Sequence, residues 1–374
     1  MGKLTHVLKM TTAAAALAGF AGMASADTVK IAVVVGQTGT YAFVGDPLVK
    51  SIQMAMEKLT AEKAFGDHTV EITYDDNRSD KQEAIALITR KAAEGYDMII
   101  GPIASAEGMA AGPVAVEQKI PMFTTATTPE VLKIGEWIFK STETADAYMV
   151  PVAEHVASLK PASCFLVSIR DNEGYVRQKN VFSEVVTKAG IKVLADESIL
   201  AADTDFTALA TKVVDADPDC LFVTAPPEQA ANIIIQIKQA GLDPDTILAS
   251  DSGAGAQKFL DAGGSAVEGT IFPATFVPEL TESSRAFSEA YKAKFGKTPD
   301  NWAATGDSMM QVVASAIRNA GTDVTRESLR AAMAATKDVP VVIGQGKMSF
   351  DAERVPHVGG IVMQVKGGSW VAAK

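Results

Sequence analysis

Cysteine is nearly absent, with only Cys164 and Cys220 among 374 residues. Two are too few for a disulfide-stapled scaffold, and their separation is not that of a metal site. Each opens an apolar run, Cys164-Phe-Leu-Val and Cys220-Leu-Phe-Val, of the kind that forms a buried parallel strand. They are expected as core thiols; on neighbouring strands in an oxidising space they would also be placed for a bridge. Histidine is scarce too: apart from His6 near the start, only His68, His155 and His357 occur, far apart, which leaves a catalytic histidine or a zinc site little to draw on. Positive charge is in deficit. Lys and Arg number 34 against 45 Asp and Glu, a net charge of −11, so the clustered cations of a phosphate-reading surface are missing and nucleic acid is not an expected partner. No Gly/Ser-rich or Pro-rich linker interrupts the chain. An apolar fraction of 47% excludes a disordered polymer, and the length exceeds the roughly 300 residues at which single cores stop growing. Two lobes joined by short ordered crossings are therefore expected.

The first 26 residues stand apart. Lys3 and Lys9 precede an apolar, alanine-rich run from Thr11 to Met23, and Ala24-Ser25-Ala26 has the small-x-small form of a signal-peptidase site. Cleavage after Ala26 is expected. The run is shorter than the ~20 residues that span a bilayer, and no later segment approaches that length. Loss of Lys3 and Lys9 takes the charge from −11 to −13.

After Asp27, short β-rich runs alternate with longer amphipathic stretches, the pattern of βαβ units around parallel sheets. Strands are predicted at 29–35, 69–74, 98–100 and 121–124, with helices at 47–60, 81–93 and 106–117 between them. The pattern restarts with strands at 164–169, 192–199, 220–224 and 246–249 and helices at 175–189, 206–214 and 228–240, where Gly190 and Gly241 act as stop signals. From Thr281 to Ala335 the chain turns helical around Phe287, Met310 and Leu329, a block that must cover an earlier lobe. It closes with strands near Met348, Ile361 and Trp370.

Motifs of covalent chemistry fail one by one. Gly296-Lys297-Thr298 has Tyr291 where a phosphate loop needs glycine, and Pro299 where its helix would begin. Gly253-Ala254-Gly255 lacks the third glycine of a dinucleotide fingerprint, and Asp251-Ser252-Gly253 is not a hydrolase elbow. Asp215, Asp217 and Asp219 alternate as in a calcium loop, but Cys220 and Pro226 replace its glycine and glutamate. No enzyme, metal or cofactor is expected.

The loops that follow predicted strands are instead rich in small hydroxyl residues. Gly101-Pro-Ile-Ala-Ser105 and Phe123-Thr-Thr125-Ala126-Thr127-Thr-Pro129-Glu130 sit where doubly wound sheets bind ligands. Hydroxyls and backbone N–H groups at helix starts can hold a carboxylate there without a fixed cation, or can simply cap helices.

The order of these motifs resembles that of the leucine/isoleucine/valine-binding proteins, type I periplasmic substrate-binding subunits of ABC transporters. Val29-Lys-Ile-Ala-Val-Val-Val-Gly-Gln-Thr-Gly39 with Gly45-Asp46, Tyr74-Asp75-Asp76, Lys81-Gln82, Gly101 to Ser105, Thr124 to Glu130 and Ala240-Gly241-Leu242 carry the resemblance, which spans residues 27–374. It implies an α/β fold of two doubly wound parallel-sheet lobes joined by a three-crossing hinge. The expected organisation is a signal peptide over 1–26, lobe 1 over 27–143, lobe 2 over 144–274, lobe 1 again over 275–345 and lobe 2 over 346–374. By the same resemblance, Ser105 binds a ligand carboxylate, Thr127 the α-carboxylate or the ammonium, Thr125 and Ala126 offer backbone groups, Tyr175 closes over the ligand, and Asp251 lies near the position of the family's acidic residue that pairs the ammonium. The first-loop tyrosine of the family corresponds to Val44, leaving Tyr41 or Phe43 as substitutes, and a second-lobe pocket tyrosine corresponds to Ala225. Asn77 and Ala104 stand near the positions of the family's first-lobe disulfide.

The reading that results is a monomeric periplasmic binding protein that closes on one small carboxylate-bearing solute and delivers it to an ABC permease. A branched-chain or other aliphatic amino acid is the first choice. Aromatic carboxylates, amide or urea-type solutes, and a sensory role for the same lobes are the alternatives.

Overall fold

The computed structural model describes residue 2 and residues 28–373; the predicted leader and its cleavage after Ala26 lie outside the described residues. The chain opens with β1 (Thr28–Val35), α1 (Ala42–Ala61), β2 (Thr69–Asp76), α2 (Lys81–Ala93), β3 (Met98–Ile100), α3 (Ser105–Glu117), β4 (Met122–Thr124) and β5 (Ile138–Lys140). These strands form a parallel sheet in the order β2-β1-β3-β4-β5. Burial explains the composition. In β1, Ile31 to Val35 are all buried because helices cover both faces, whereas β2, at the edge, is buried only in part.

The second unit runs α4 (Ala145–Ser158), β6 (Ser163–Ile169), α5 (Glu173–Lys188), β7 (Lys192–Ile199), α6 (Thr207–Ala216), β8 (Cys220–Thr224), α7 (Pro227–Gln239), β9 (Ile247–Ser250), α8 (Gln257–Gly263) and β10 (Ile271–Ala274). The chain then returns as α9 (Glu282–Phe295), α10 (Asn301–Asn319), α11 (Arg326–Ala334), β11 (Val339–Pro340), β12 (Lys347–Phe350) and β13 (Pro356–His357). It ends in β14 (Ile361–Lys366) and β15 (Ser369–Ala372), which join the second sheet in the order β15-β14-β10-β9-β8-β6-β7. The last two strands are antiparallel to their neighbours.

Each sheet is covered on both faces, giving four apolar clusters. The late helices α9, α10 and α11 pack with α1 on one face of the first sheet, and α2 and α3 cover the other. Helices α6 to α8 and α4 with α5 do the same for the second. Where α10 meets α1 the backbones nearly touch: a Cβ on Gly306 would lie 2.6 Å from the Leu48 carbonyl oxygen. Gly306→Ala is expected to cost about 1–3 kcal/mol of stability through overpacking, measured as a lower midpoint in urea unfolding; an unchanged midpoint would mean that the two helices separate without cost.

Cys164 and Cys220 are in-register neighbours on paired parallel strands, both buried and both free thiols. Burial, with the neighbouring Cys164 thiol adding to it, pushes the Cys220 thiol well above its ordinary range.

Three passages join the lobes: 141–144, 275–281 and 358–360. The third differs from the boundary at 345/346 read from sequence, because residues 347–357 stay with the first lobe. The Phe350 ring packs 6.1 Å from Phe123 and 5.9 Å from Phe139. Arg354 donates to the carbonyls of Ile138 at 3.0 Å and Leu132 at 2.7 Å. The first and third passages are tied together by Glu143, whose Oε1 accepts from the N–H groups of Val358 and Gly359, both at 2.9 Å.

Candidate ligand-binding cleft

The first lobe contributes two loops laced to each other. Thr124 Oγ1 donates to the Pro102 carbonyl at 2.5 Å and Thr125 Oγ1 to that of Ile103 at 2.9 Å, which fixes the β4 loop against the start of α3. Ser105, the first residue of α3, then accepts at Oγ from the backbone N–H groups of Thr127 at 3.1 Å and Thr128 at 3.2 Å. Thr127 Oγ1 lies 3.5 Å from the same oxygen. Two donors into one hydroxyl polarise it to give its own proton, so the Ser105 O–H is prepared for an anion.

The second lobe meets these hydroxyls at the start of α5. Asn172 caps this helix, Oδ1 accepting from the Gly174 N–H at 2.9 Å, and its Nδ2 crosses the cleft to donate to the Tyr41 hydroxyl at 2.7 Å. Gly174 approaches so closely that a Cβ would lie 2.5 Å from Ser105 Oγ and 2.7 Å from Thr127 Oγ1. Tyr175 lies buried beside it, and burial, helped by the charge of Asp251, raises its hydroxyl well above the ordinary range.

Asp251 follows β9 and opens a short turn. Its Oδ2 accepts from the Ala225 N–H at 3.0 Å and its Oδ1 from the Gly253 N–H at 2.6 Å. Burial pushes its carboxyl up to about 6 in spite of these donors. The cleft is bounded by Tyr41, Phe43, Val44, Ile103 and Trp302 on one lobe and by Tyr175, Gln178 and Asp251 on the other, and no Lys or Arg is among the residues that line it. Asp251 thus lines the cleft with no cation paired to it there.

Eight of the ten residues named from sequence come together in this cleft: Tyr41, Phe43, Val44, Ser105, Thr125, Thr127, Tyr175 and Asp251. Two do not. The Ala126 methyl is buried in the core between the first sheet and α3, its N–H donates to Thr124 Oγ1 at 3.0 Å, and its carbonyl accepts from Thr142 Oγ1 at 3.2 Å. Its backbone groups are therefore spent on the loop. Ala225 is buried in the second lobe's core with its N–H on Asp251, so it supports the carboxylate rather than touching the cleft.

Among the described residues no group of three or more His, Cys, Asp or Glu could hold a metal ion. No described helix is long and apolar enough to cross a membrane.

The family model described as periplasmic binding protein matches residues 28–369. The chain belongs to this family. A leucine-, isoleucine-, valine-, threonine- and alanine-binding protein of Pseudomonas aeruginosa is 27% identical over 356 residues, covering 94% of this chain and 93% of the relative. The crystal structure of a leucine-binding protein from Thermotoga maritima is similar, with a TM-score of 0.85 and 28% identity, over 92% of this chain and 98% of that one. A solute-binding protein of an ABC transporter from Rhodopseudomonas palustris, in complex with benzoate, shares the fold with a TM-score of 0.82 at 20% identity, over 92% of this chain and 95% of that one. This periplasmic binding protein thus has the type I fold of two parallel-sheet lobes, and its relatives are substrate-binding proteins, not enzymes.

Sequence reasoning missed Asn172, Gly174, Gln178 and Trp302. The binding protein's Trp302 sits in the first turn of α10, where Asp300 caps the helix by accepting from the N–H groups of Trp302 at 3.0 Å and Ala303 at 2.9 Å. Its indole Nε1 and the Gln178 Oε1 are buried without a partner, and both residues line the cleft. Signals existed: Asp300 after Pro299 is a helix start, and Gly174 two residues after an Asn is costly inside a helix unless something approaches it closely.

Proposed function

We propose that this chain is the periplasmic substrate-binding subunit of an ABC importer, capturing an aliphatic amino acid as its zwitterion by closure of two lobes about the three passages. The observation that carries this reading is the polarity of the cleft. One end offers the Ser105 and Thr127 hydroxyls, the other the buried Asp251, and no cation lines the space between. A zwitterion matches both ends, whereas a lone carboxylate would add a second negative charge to a cleft that holds Asp251 unpaired. The branched-chain amino acids named for the relatives agree with it. Against it stand the aromatic walls of Tyr41, Phe43, Tyr175 and Trp302, which favour a flat ring, so an ammonium-free aromatic acid is the second reading.

Titration separates the two. With the Asp251 carboxyl at about 6, raising the pH through that value deprotonates it. Leucine affinity is then expected to rise severalfold between pH 5 and about 7, because its ammonium binds the carboxylate form. Benzoate affinity is expected to fall over the same window. Calorimetry with leucine, isoleucine, valine and benzoate at each pH checks this; binding of benzoate alone would overturn the amino-acid reading.

A further inference from the structure

The last residue of β5 is a lysine with no exposed surface at all. Lys140 Nζ donates to the Ala126 carbonyl and, at 3.4 Å, to that of Thr128. Thr142 Oγ1 shares the Ala126 carbonyl at 3.2 Å. In a trans peptide the C=O and the N–H that follows point in opposite directions. Drawing the Ala126 carbonyl inward therefore turns the Thr127 N–H outward, where it donates to Ser105 Oγ at 3.1 Å. The Ala126–Thr127 peptide group thus links the Lys140 ammonium on one side to the Ser105 hydroxyl on the other.

A buried lysine is costly unless a negative charge is near. Two carboxylates act on Lys140 from a distance. Glu130, on the turn that follows the loop, accepts from Thr128 Oγ1, and Glu143, on the first passage, is engaged by the Val358 and Gly359 N–H groups. Arg177, paired with Asp146, acts in turn on Glu130. The strand partner of Lys140 is Thr124, which brings no charge.

We propose that Lys140 is a positioning residue that sets the carboxylate preference of the cleft, and that the arriving ligand carboxylate draws a proton onto the Lys140 amine. The inference rests on the reading of Ser105 and Thr127 as the carboxylate end. Burial lowers the Lys140 ammonium to about 7, so part of the population is neutral at pH 7.5 and has a proton to gain. Affinity for a carboxylate therefore falls as pH rises above that value.

The test is calorimetry with leucine, leucinamide, benzoate and benzamide at pH 7.5, in phosphate and in Tris, whose ionisation enthalpies differ. Wild-type protein is expected to take up a fraction of a proton with the acid it binds and none with benzamide; leucinamide, whose own amine titrates at about 8, takes up only what its ammonium form needs, an uptake that Lys140→Arg leaves unchanged. In Lys140→Met the acid is expected to lose affinity on the order of tenfold, with the amide unchanged. Lys140→Arg keeps the acid preference and loses the proton uptake, because a guanidinium does not titrate. Equal losses for acid and amide, or no proton uptake by the wild-type protein, would overturn the role of Lys140 while leaving the carboxylate site intact. Wild-type protein that binds neither acid removes both. Should Lys140→Met fail to fold, the wild-type and Lys140→Arg proton counts decide.

Discussion

Gly174→Ala is expected to weaken ligand binding about a hundredfold or more without destabilising the unliganded protein. The added methyl would stand 2.5 Å from Ser105 Oγ and 2.7 Å from Thr127 Oγ1, atoms of the opposite lobe. Either the hydroxyls rotate away, which removes them from the ligand and takes Ser105 Oγ from the two N–H groups it serves, or the lobes stop short of full contact. Each outcome costs the closed form a few kcal/mol. The open form loses nothing, since Gly174 is in the first turn of α5, where alanine is the better helix former. The melting temperature without ligand should therefore be unchanged or slightly higher, while calorimetry shows the loss of affinity. A variant that binds as tightly as wild type would place the ligand away from this junction.

The second large effect is expected from Ser105→Ala combined with Thr127→Val. Each hydroxyl that donates to a charged carboxylate contributes about 1.5–3 kcal/mol, so the pair should lower affinity by about two to four orders of magnitude. The single variants differ in a second readout. Thr127→Val removes a group with no strong protein partner and should leave the melting temperature alone. Ser105→Ala strands the Thr127 and Thr128 N–H groups and should cost roughly 1–3 kcal/mol of stability. Unchanged affinity in the double variant would rule out this end of the cleft as the carboxylate site.

Much of the framework could be read from the chain because its signals are local. The predicted strands at 98–100, 192–199 and 220–224 and the helix at 81–93 coincide with β3, β7, β8 and α2; β3 and β8 are apolar runs and α2 a capped amphipathic stretch. Helix α1 begins at Ala42, five residues before the Pro47 taken as its start; a proline ordinarily marks a first turn, but packing against α10 outweighs one missing hydrogen bond. Strand β5 was not visible at all. It has three residues and ends in Lys140, and nothing local tells that a lysine is buried. The cleft divides in the same way. Ser105 and Thr127 stand on recognisable loops, whereas Gly174, Gln178 and Trp302 reach the cleft only through contacts between lobes, which no spacing in the sequence encodes.

The late return of the chain governs how the molecule can be made. The first sheet is covered by α9, α10 and α11, and the second is completed by β14 and β15. A polypeptide emerging from its amino end therefore holds two unfinished halves until nearly all of it has been delivered. Native closure of either core must wait for segments about 200 residues or more downstream of its first strand, a long-range requirement that slows folding and leaves apolar surface bare meanwhile. Truncation before residue 361 is expected to leave the second sheet without its two closing strands, however complete the ligand-contacting loops.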